Sequence, residues 1–205
     1  VIDGKVFILN RLNRDSVLIL NPSFGFLPEA EYSVGNGNNP QDIVKVNENK
    51  AYITLYNSRN LLVVNPYSGA LIKTIDLGQY VETSSTGIVG VDGIPEMSQM
   101  YLEGSSLYIQ LQRLDRNDPG GIPAPNSDSL LLELDVNSDS VINTYTFFSR
   151  NPTSKMQKIE MAGESFLVMC APNRLGFLSK LDGGVVAFSL RTKTFRNNFL
   201  YSEIT

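Results

Sequence analysis

Short apolar runs separated by small polar clusters make up most of this chain. Runs of four to seven residues rich in valine, isoleucine, leucine, tyrosine and phenylalanine alternate with clusters of glycine, asparagine, serine and proline. This spacing is too close for helices, whereas strands of this length joined by such clusters are usual in β-sheets. The pattern therefore predicts an all-β fold.

The order of runs and turns repeats along the chain, and a regular repeat constrains the fold strongly. Residues 6–9 and 17–20, followed by Asn21-Pro22 and Gly25, recur as residues 51–54 and 61–64, followed by Asn65-Pro66 and Gly69. Two further copies occupy residues 107–135 and 166–189. Each Asn-Pro-Xaa-Xaa-Gly segment predicts a tight turn, because proline pre-sets φ and glycine tolerates a positive φ.

Each repeat is interpreted as four strands, named A to D in chain order. In the second repeat the predicted strands are residues 42–46, 51–56, 61–65 and 70–77. A proline precedes strand A at Pro40, Pro95 and Pro152, where no ladder donor is needed. Four-stranded units that repeat at about 40 to 50 residues predict a β-propeller. A β-sandwich with accidental similarity is the alternative, but a sandwich does not need the same strands and turns four times.

Residues 1–205 are interpreted as a single β-propeller domain or a fragment of one. The approximate blades are residues 1–37, which lack the innermost strand, and residues 38–79, 94–149 and 150–205. About four blades are therefore expected, as a partial or half propeller. Open strand edges and apolar blade faces invite pairing. We expect missing blades, a second copy or a partner chain to complete the ring.

The repeat also resembles bacterial YVTN-type propellers, which carry a Tyr-Val-Thr-Asn strand, a Val-Ile-Asp strand and a glycine turn. Tyr52-Ile53-Thr54 keeps three positions of the first motif in kind, and Asn10 supplies its last position in the first repeat. The resemblance covers roughly residues 5–78 and fades afterwards. It implies a parent ring of about seven blades and a periplasmic, outer-membrane-anchored or extracellular bacterial protein, with motifs that specify blade packing rather than catalysis.

Composition removes several classes of function. The net charge of −4, with no basic run, argues against nucleic-acid binding, and the apolar runs are far shorter than the roughly 20 residues of a membrane span. The chain has no histidine and one cysteine, so His-based triads, imidazole metal ligands, zinc–thiolate clusters and internal disulfides are excluded. It has no tryptophan to stack on a quinone, and no cofactor is expected.

Connection lengths point to one face of the propeller. In such a blade the D-to-A and B-to-C connections lie on one face, and the A-to-B and C-to-D connections lie on the other. The long segments are all D-to-A or B-to-C connections: residues 79–94, 113–129 and 171–184. Because binding residues concentrate on long loops of rigid scaffolds, this long-loop face is predicted to be the functional surface. Tolerated insertions without a ligand are the alternative.

The candidate ligand-binding residues lie on or near that face. Clustered oxygens at Asp115, Asn117 and Asp118 could wrap a calcium ion, although a solvated turn is the favoured interpretation. Asp42 could line the central channel or cap a turn. Arg113, Arg116 and Arg174 could hold an anionic ligand. Cys170 is interpreted as an inert core thiol, and the recurring aromatic residues Phe7, Tyr52 and Tyr108 are interpreted as blade core.

Two classes of function are therefore considered. The first is a non-enzymatic binding or scaffold propeller of the bacterial cell envelope, with a protein or glycan partner. A purely structural surface-layer repeat is a variant that differs from it mainly in lacking a specific ligand. The second is a metal-dependent, lactonase-like hydrolase with a channel cation. That mechanism needs carboxylate and amide ligands at several strand A starts, where the chain offers Asp42, Glu96 and Lys155.

Overall fold

Four blade sheets follow one another in the computed structural model, which describes residues 1–82, 92–116, 124–125, 128–147, 149–172 and 184–196. Blade 1 consists of β1 (Val6–Asn10), β2 (Ser16–Asn21) and β3 (Leu27–Ser33). Blade 2 consists of β4 (Pro40–Asn47), β5 (Lys50–Leu55), β6 (Asn60–Val64) and β7 (Leu71–Asp76).

Blades 3 and 4 continue the series. Blade 3 begins with β8 (Met97–Glu103) and β9 (Ser106–Leu111), carries a small hairpin of β10 (Leu114–Asp115) and β11 (Ala124–Pro125), and ends with β12 (Leu130–Asp135) and β13 (Ser140–Thr146). Blade 4 consists of β14 (Gln157–Met161), β15 (Glu164–Ala171), β16 (Gly184–Ser189) and β17 (Phe195–Arg196).

Every blade is an antiparallel sheet whose strands are paired in chain order. In blade 3, β9 pairs with β12, because the intervening β10 and β11 form a separate two-stranded sheet. The prediction of an all-β propeller with about four blades is confirmed. The first sheet of the described residues has three strands, in the order β1-β2-β3. In blade 2 the predicted strand bounds differ from the observed ones by one or two residues. The β10–β11 hairpin lies inside a segment that the sequence pattern assigned to a loop.

The tight C-to-D turn recurs in all four blades. In blade 2 the Gly69 amide donates to the Asn65 carbonyl at 3.0 Å, and Asn65 Oδ1 accepts the Tyr67 and Ser68 amides. Gly25 and Gly69 have φ values of 70° and 71°, as predicted. Asp139 and Lys193 take the corresponding left-handed position in blades 3 and 4, with φ values of 54° and 57°. The turn geometry is therefore kept where glycine is absent.

Apolar side chains pack between blades rather than within one central core. One cluster joins blades 1 to 3 and contains Val17, Ile53 and Leu132, all with zero exposure. A second cluster joins blades 3 and 4 and includes Leu131 and Phe188. The middle strands of blades 2 and 3 are apolar on both faces because each of these blades has a neighbour on both sides, which is the arrangement expected of a repeat architecture.

Each blade has a forward face, which we define as the side turned toward the next blade in the chain. Tyr52 and Tyr108 lie on the forward faces of blades 2 and 3 and are buried, and Phe7 packs at the same position in blade 1. The Tyr52 hydroxyl donates to Asp139, and the Lys193 ammonium donates to the Tyr108 hydroxyl. The recurring aromatic residues are blade core, as predicted.

Cys170 departs from its predicted place. The thiol is exposed, and the interpretation as a core cysteine is therefore wrong. Its neighbours Met169 and Ala171 pack against blade 3, so the alternation of the strand turns Cys170 to the forward face of blade 4. Among the described residues, no helix has the length and apolar character needed to cross a membrane.

Candidate functional site

The connections predicted to share one face do meet there in blades 1 to 3. Arg116, from the B-to-C connection of blade 3, reaches residues of the blade 2 connections. Its Nε donates to Glu96 Oε1 at 2.8 Å, its Nη1 donates to Asn57 Oδ1 at 2.8 Å, and its Nη2 donates to the Tyr56 carbonyl at 2.6 Å. Every nitrogen of this guanidinium has an acceptor, so Arg116 holds the face together rather than projecting from it.

Glu96 lies at the start of strand A of blade 3 and is fully buried. Its second carboxylate oxygen accepts the Leu114 amide at 2.8 Å. Burial and the nearby Asp92 and Glu82 carboxylates raise the pKa of Glu96 to about 9, against the opposing effect of Arg116. A buried carboxyl with a raised pKa favours its protonated form near neutral pH.

Glu82, Asp92, Glu96 and Arg116 together form a unit that we call the loop anchor. The Asp92 amide donates to Glu82 Oε1 at 2.8 Å, and the Arg116 amide donates to Asp92 Oδ2 at 3.0 Å. Glu82 and Asp92 stand on either side of residues 83–91, and Arg116 directly precedes residues 117–123. The anchor therefore ties both ends of one long connection to the beginning of another.

Arg11 and Tyr56 extend this arrangement across the face. The Tyr56 ring contacts the guanidinium groups of both Arg11 and Arg116. The two guanidinium carbons are 5.8 Å and 4.8 Å, respectively, from the ring centroid. Arg11 Nε donates to Asn39 Oδ1 at 2.8 Å, and the Arg11 residue is exposed. The Tyr56 hydroxyl donates to Gln112 Oε1 at 2.9 Å. A cation supported by an aromatic ring is thus presented to solvent beside the loop anchor.

Two of the predicted site residues make contacts within the fold. Asp42 is buried, and its carboxylate accepts the Ile43 amide and, from the next blade, the Met100 amide, each at 2.9 Å. Burial raises the pKa of Asp42. Arg113 is half-buried; it donates to the Val81 carbonyl at 2.8 Å and to the Asp128 carbonyl at 2.5 Å. Burial lowers the pKa of Arg113. Both side chains fasten connections on the long-loop face.

The other predicted residues cannot be placed. The Asp115 side chain, Asn117, Asp118 and Arg174 lie outside the described residues. Within the described ranges, no three His, Cys, Asp or Glu side chains are grouped so that they could hold a metal ion. The calcium site therefore stays a prediction.

Sequence reasoning considered Glu96 and Arg116 separately and missed their pairing. It also missed Arg11, Tyr56 and Asp92. One signal was available: Asn39 and Glu96 are polar residues next to the proline that precedes strand A in successive blades. Both have positive φ, 54° and 46°, and both accept a hydrogen bond from an arginine side chain.

No protein-family model matches the chain, and no curated protein matches it. Similar solved structures include the crystal structure of BamB from Moraxella catarrhalis, which is 14% identical, with a TM-score of 0.52 over 98% of this chain and 51% of that one. The WD40 β-propeller domain of Doa1 is also 14% identical, with a TM-score of 0.56 over 95% of this chain and 50% of that one. The likeness supports the β-propeller fold. The chain spans about half the length of both.

Proposed function

We propose that the chain is a non-enzymatic binding or scaffold module whose long-loop face engages a protein or glycan partner. The loop anchor is the observation that carries this proposal. It links Glu82, Asp92 and Arg116, which flank two of the long connections in sequence, to the buried Glu96, whose side chain is 2.8 Å from that of Arg116. Connections whose ends are fixed on a rigid scaffold can present a binding surface at low entropic cost.

The exposed part of this face suggests the chemistry of the partner. Arg11 is solvent-exposed while its Nε is held by Asn39 and its guanidinium lies against Tyr56. A guanidinium fixed in this way suits a carboxylate, because the planar fork matches two oxygens. The partner we favour is therefore a protein or glycan that carries a carboxylate.

The assignment of the chain to a cellular setting rests on sequence resemblance. We infer a member of the YVTN-type propellers, with residues 1–205 forming one propeller unit in the bacterial cell envelope, periplasmic, outer-membrane-anchored or extracellular. The resemblance over roughly residues 5–78 supports this inference.

Site-specific photocrosslinking tests the binding proposal. A benzophenone amino acid placed at Leu12, a 73% exposed neighbour of Arg11 in the same B-to-C connection, reports on the long-loop face, and the same amino acid at exposed Ser68, in a C-to-D turn, reports on the opposite face. In cells that naturally produce the protein, we expect adducts from position 12 and few from position 68. Adducts from position 68 alone, or from neither position together with no binding on a glycan array, would contradict the proposal.

The lactonase-like alternative stays a prediction. Of the residues predicted at the strand A starts, Asp42 and Glu96 each accept a backbone amide of another strand. These contacts engage the two carboxylates in holding the fold. No arrangement of the described residues favours this alternative over the binding function.

A further inference from the structure

The B-to-C connection of blade 1, residues 11–15, has an unusual backbone conformation. Leu12, Asn13 and Asp15 have φ values of 53°, 78° and 45°, so the connection contains three left-handed residues and none of them is glycine. Each such residue costs stability, and the conformation persists only where the surrounding structure imposes it. The connection is therefore strained and has to be held in place by its neighbours.

Both ends of this connection are fastened to the segment that joins blade 1 to blade 2. Asp15 is 1% exposed, and its carboxylate accepts the Gly37 and Asn39 amides at 2.8 Å each. The Asp15 carbonyl accepts the Val34 amide at 2.8 Å. At the other end, Arg11 Nε donates to Asn39 Oδ1. Residues 11–15 thus lie at the junction of blades 1 and 2 and are supported from both.

Leu12, at the tip of the connection, makes no contact in the fold that offsets its strain. It is 73% exposed and lies outside both hydrophobic clusters. Left-handed residues elsewhere do have structural roles: Glu96 accepts the Leu114 amide, and Asp139 accepts the Tyr52 hydroxyl. A strained leucine in solvent is explained by a contact outside the chain, in which its apolar surface is buried.

Arg11 lies beside Leu12 in sequence, and its charge is unpaired. Among the described residues, its partners are neutral: Asn39 Oδ1 accepts from Nε at 2.8 Å, and the Tyr56 ring centroid lies 5.8 Å from the guanidinium carbon. Arg14, in contrast, already pairs with Glu31 at 3.1 Å. A guanidinium that is held in one orientation without an acidic partner suits an incoming carboxylate.

We propose that residues 11–15 are a protein-recognition loop, whose partner offers an apolar pocket to Leu12 beside a carboxylate for Arg11. This inference rests on the proposed binding function and narrows the partner from a protein or glycan to a protein. A projecting leucine gives a glycan no hydrogen-bonding group, whereas an apolar side chain that fills a pocket is a usual source of affinity between proteins.

Three substitutions separate recognition from folding. Leu12→Asn removes the apolar side chain, and asparagine tolerates the left-handed conformation. Arg11→Gln removes the charge. Phe26→Asn is the matched control, because Phe26 has a φ of 62° and is 58% exposed, but lies in the C-to-D connection of the same blade, on the opposite face. Neither asparagine substitution should lower the melting temperature.

Crosslinking followed by calorimetry tests the proposal. A benzophenone amino acid at exposed Arg14, in cells that naturally produce the protein, identifies the partner by mass spectrometry, and the purified partner is then titrated with the chain. We expect the dissociation constant to rise at least about ten-fold in Leu12→Asn and in Arg11→Gln, and less than about two-fold in Phe26→Asn. Unchanged affinity in Leu12→Asn, or no protein adduct from either position 12 or position 14, would overturn the proposal.

A double-mutant cycle tests the carboxylate. Changing the partner's acidic residue at the crosslinked surface to its amide should weaken binding as much as Arg11→Gln does, with no further loss when the two changes are combined. Additive losses for every such acidic residue would overturn this pairing. Binding of an acidic glycan that is unchanged in Leu12→Asn would overturn the inference and leave the proposed function standing, whereas adducts from Ser68 alone would contradict both.

Discussion

At Gly69 the absence of a Cβ serves both the backbone conformation of the turn and the contact between blades 1 and 2. The residue has a φ of 71°, and a Cβ added there would lie 2.2 Å from Tyr32 Cγ of blade 1. The Tyr32 hydroxyl in turn donates to the Pro66 carbonyl at 3.0 Å. Glycine is therefore required both for the backbone conformation and for the packing of Tyr32 on the turn.

Gly69→Ala is expected to lower the free energy of unfolding by about 2–5 kcal/mol, combining left-handed strain with displacement of Tyr32. Gly25→Ala is the matched control, because its φ is 70° but a Cβ there meets no atom within 4 Å. That change should cost about 1–2 kcal/mol. Urea unfolding followed by circular dichroism measures both; equal losses would show that the Tyr32 contact contributes nothing.

Glu96 gives the chain a pH dependence of stability. Its pKa rises from 4.5 to about 9 on folding, chiefly because of burial. Between these values the unfolded chain has released a proton that the folded chain retains, so the free energy of unfolding falls as pH rises, by up to about 1.4 kcal/mol per pH unit. Glu96→Gln should remove this slope in urea unfolding at pH 6, 7 and 8. An unchanged slope in Glu96→Gln, or its loss in the exposed control Glu160→Gln, would contradict this account.

Single residues were predicted well where their role is local. The turn glycines follow from backbone conformation alone, and Gly25 and Gly69 lie where the motif placed them. Cys170 was wrongly assigned to the core, and the contacts of Arg116 were missed. The surroundings of both residues come from segments that are distant in sequence. A strand that is apolar on both faces does not reveal in its sequence which face is covered, and Arg116 acquires partners up to 60 positions away.

Neighbouring blades are linked by a recurring contact between a C-to-D turn and strand B of the preceding blade. The left-handed residue of a C-to-D turn reaches back to the tyrosine on the forward face of the preceding blade, as Asp139 does to Tyr52 and Lys193 does to Tyr108. Lys193 also donates to the buried Glu133 at 2.8 Å. The turns of blades 3 and 4 thus close their own blade and join it to the preceding one.

Asp139→Ala is expected to destabilise the chain by about 1.5–3 kcal/mol, because Asp139 accepts the Tyr52 hydroxyl and pairs with Lys50 at 2.7 Å. Glu48→Ala, which removes a 75% exposed carboxylate paired with Lys45, should cost at most about 1 kcal/mol. A double-mutant cycle with Tyr52→Phe isolates the coupling between turn and strand. Additive effects would rule out the inferred link.

The elements themselves were largely predictable. Strands of blade 2 were placed within two residues, since the length of an apolar run, a preceding proline and an Asn-Pro turn all act over a few positions. The β10–β11 hairpin was missed because its strands, Leu114–Asp115 and Ala124–Pro125, are too short to show a pattern. Its Leu114 amide is instead held by Glu96.

Across the whole molecule, stability is organised as contacts between neighbouring blades. Blade 3 belongs to both hydrophobic clusters, with Leu132 in one and Leu131 in the other. A destabilising substitution in blade 1 should therefore lower the local stability of blade 4 less than a substitution in blade 3 does, as in other repeat proteins with nearest-neighbour coupling.

Hydrogen exchange measured by mass spectrometry tests this gradient. Val17→Ala, in blade 1, should cost about 1–3 kcal/mol and accelerate exchange mainly in β1–β7. Leu131→Ala should cost about 2–5 kcal/mol and accelerate exchange in β8, β9 and β12–β17. If Val17→Ala accelerated exchange equally in all blades, the chain would unfold as one cooperative unit instead.

The amino-acid sequence by itself determined the all-β class, the four repeated units and the turns between them, because these depend on alternation and backbone conformation within a few residues. Only the tertiary structure decided that Arg116 meets Glu96, that Arg11 lies on Tyr56 and that Cys170 faces solvent. These facts depend on which connections the ring brings together and on which blade faces are covered. Both are set by the packing of distant segments, which no local pattern records.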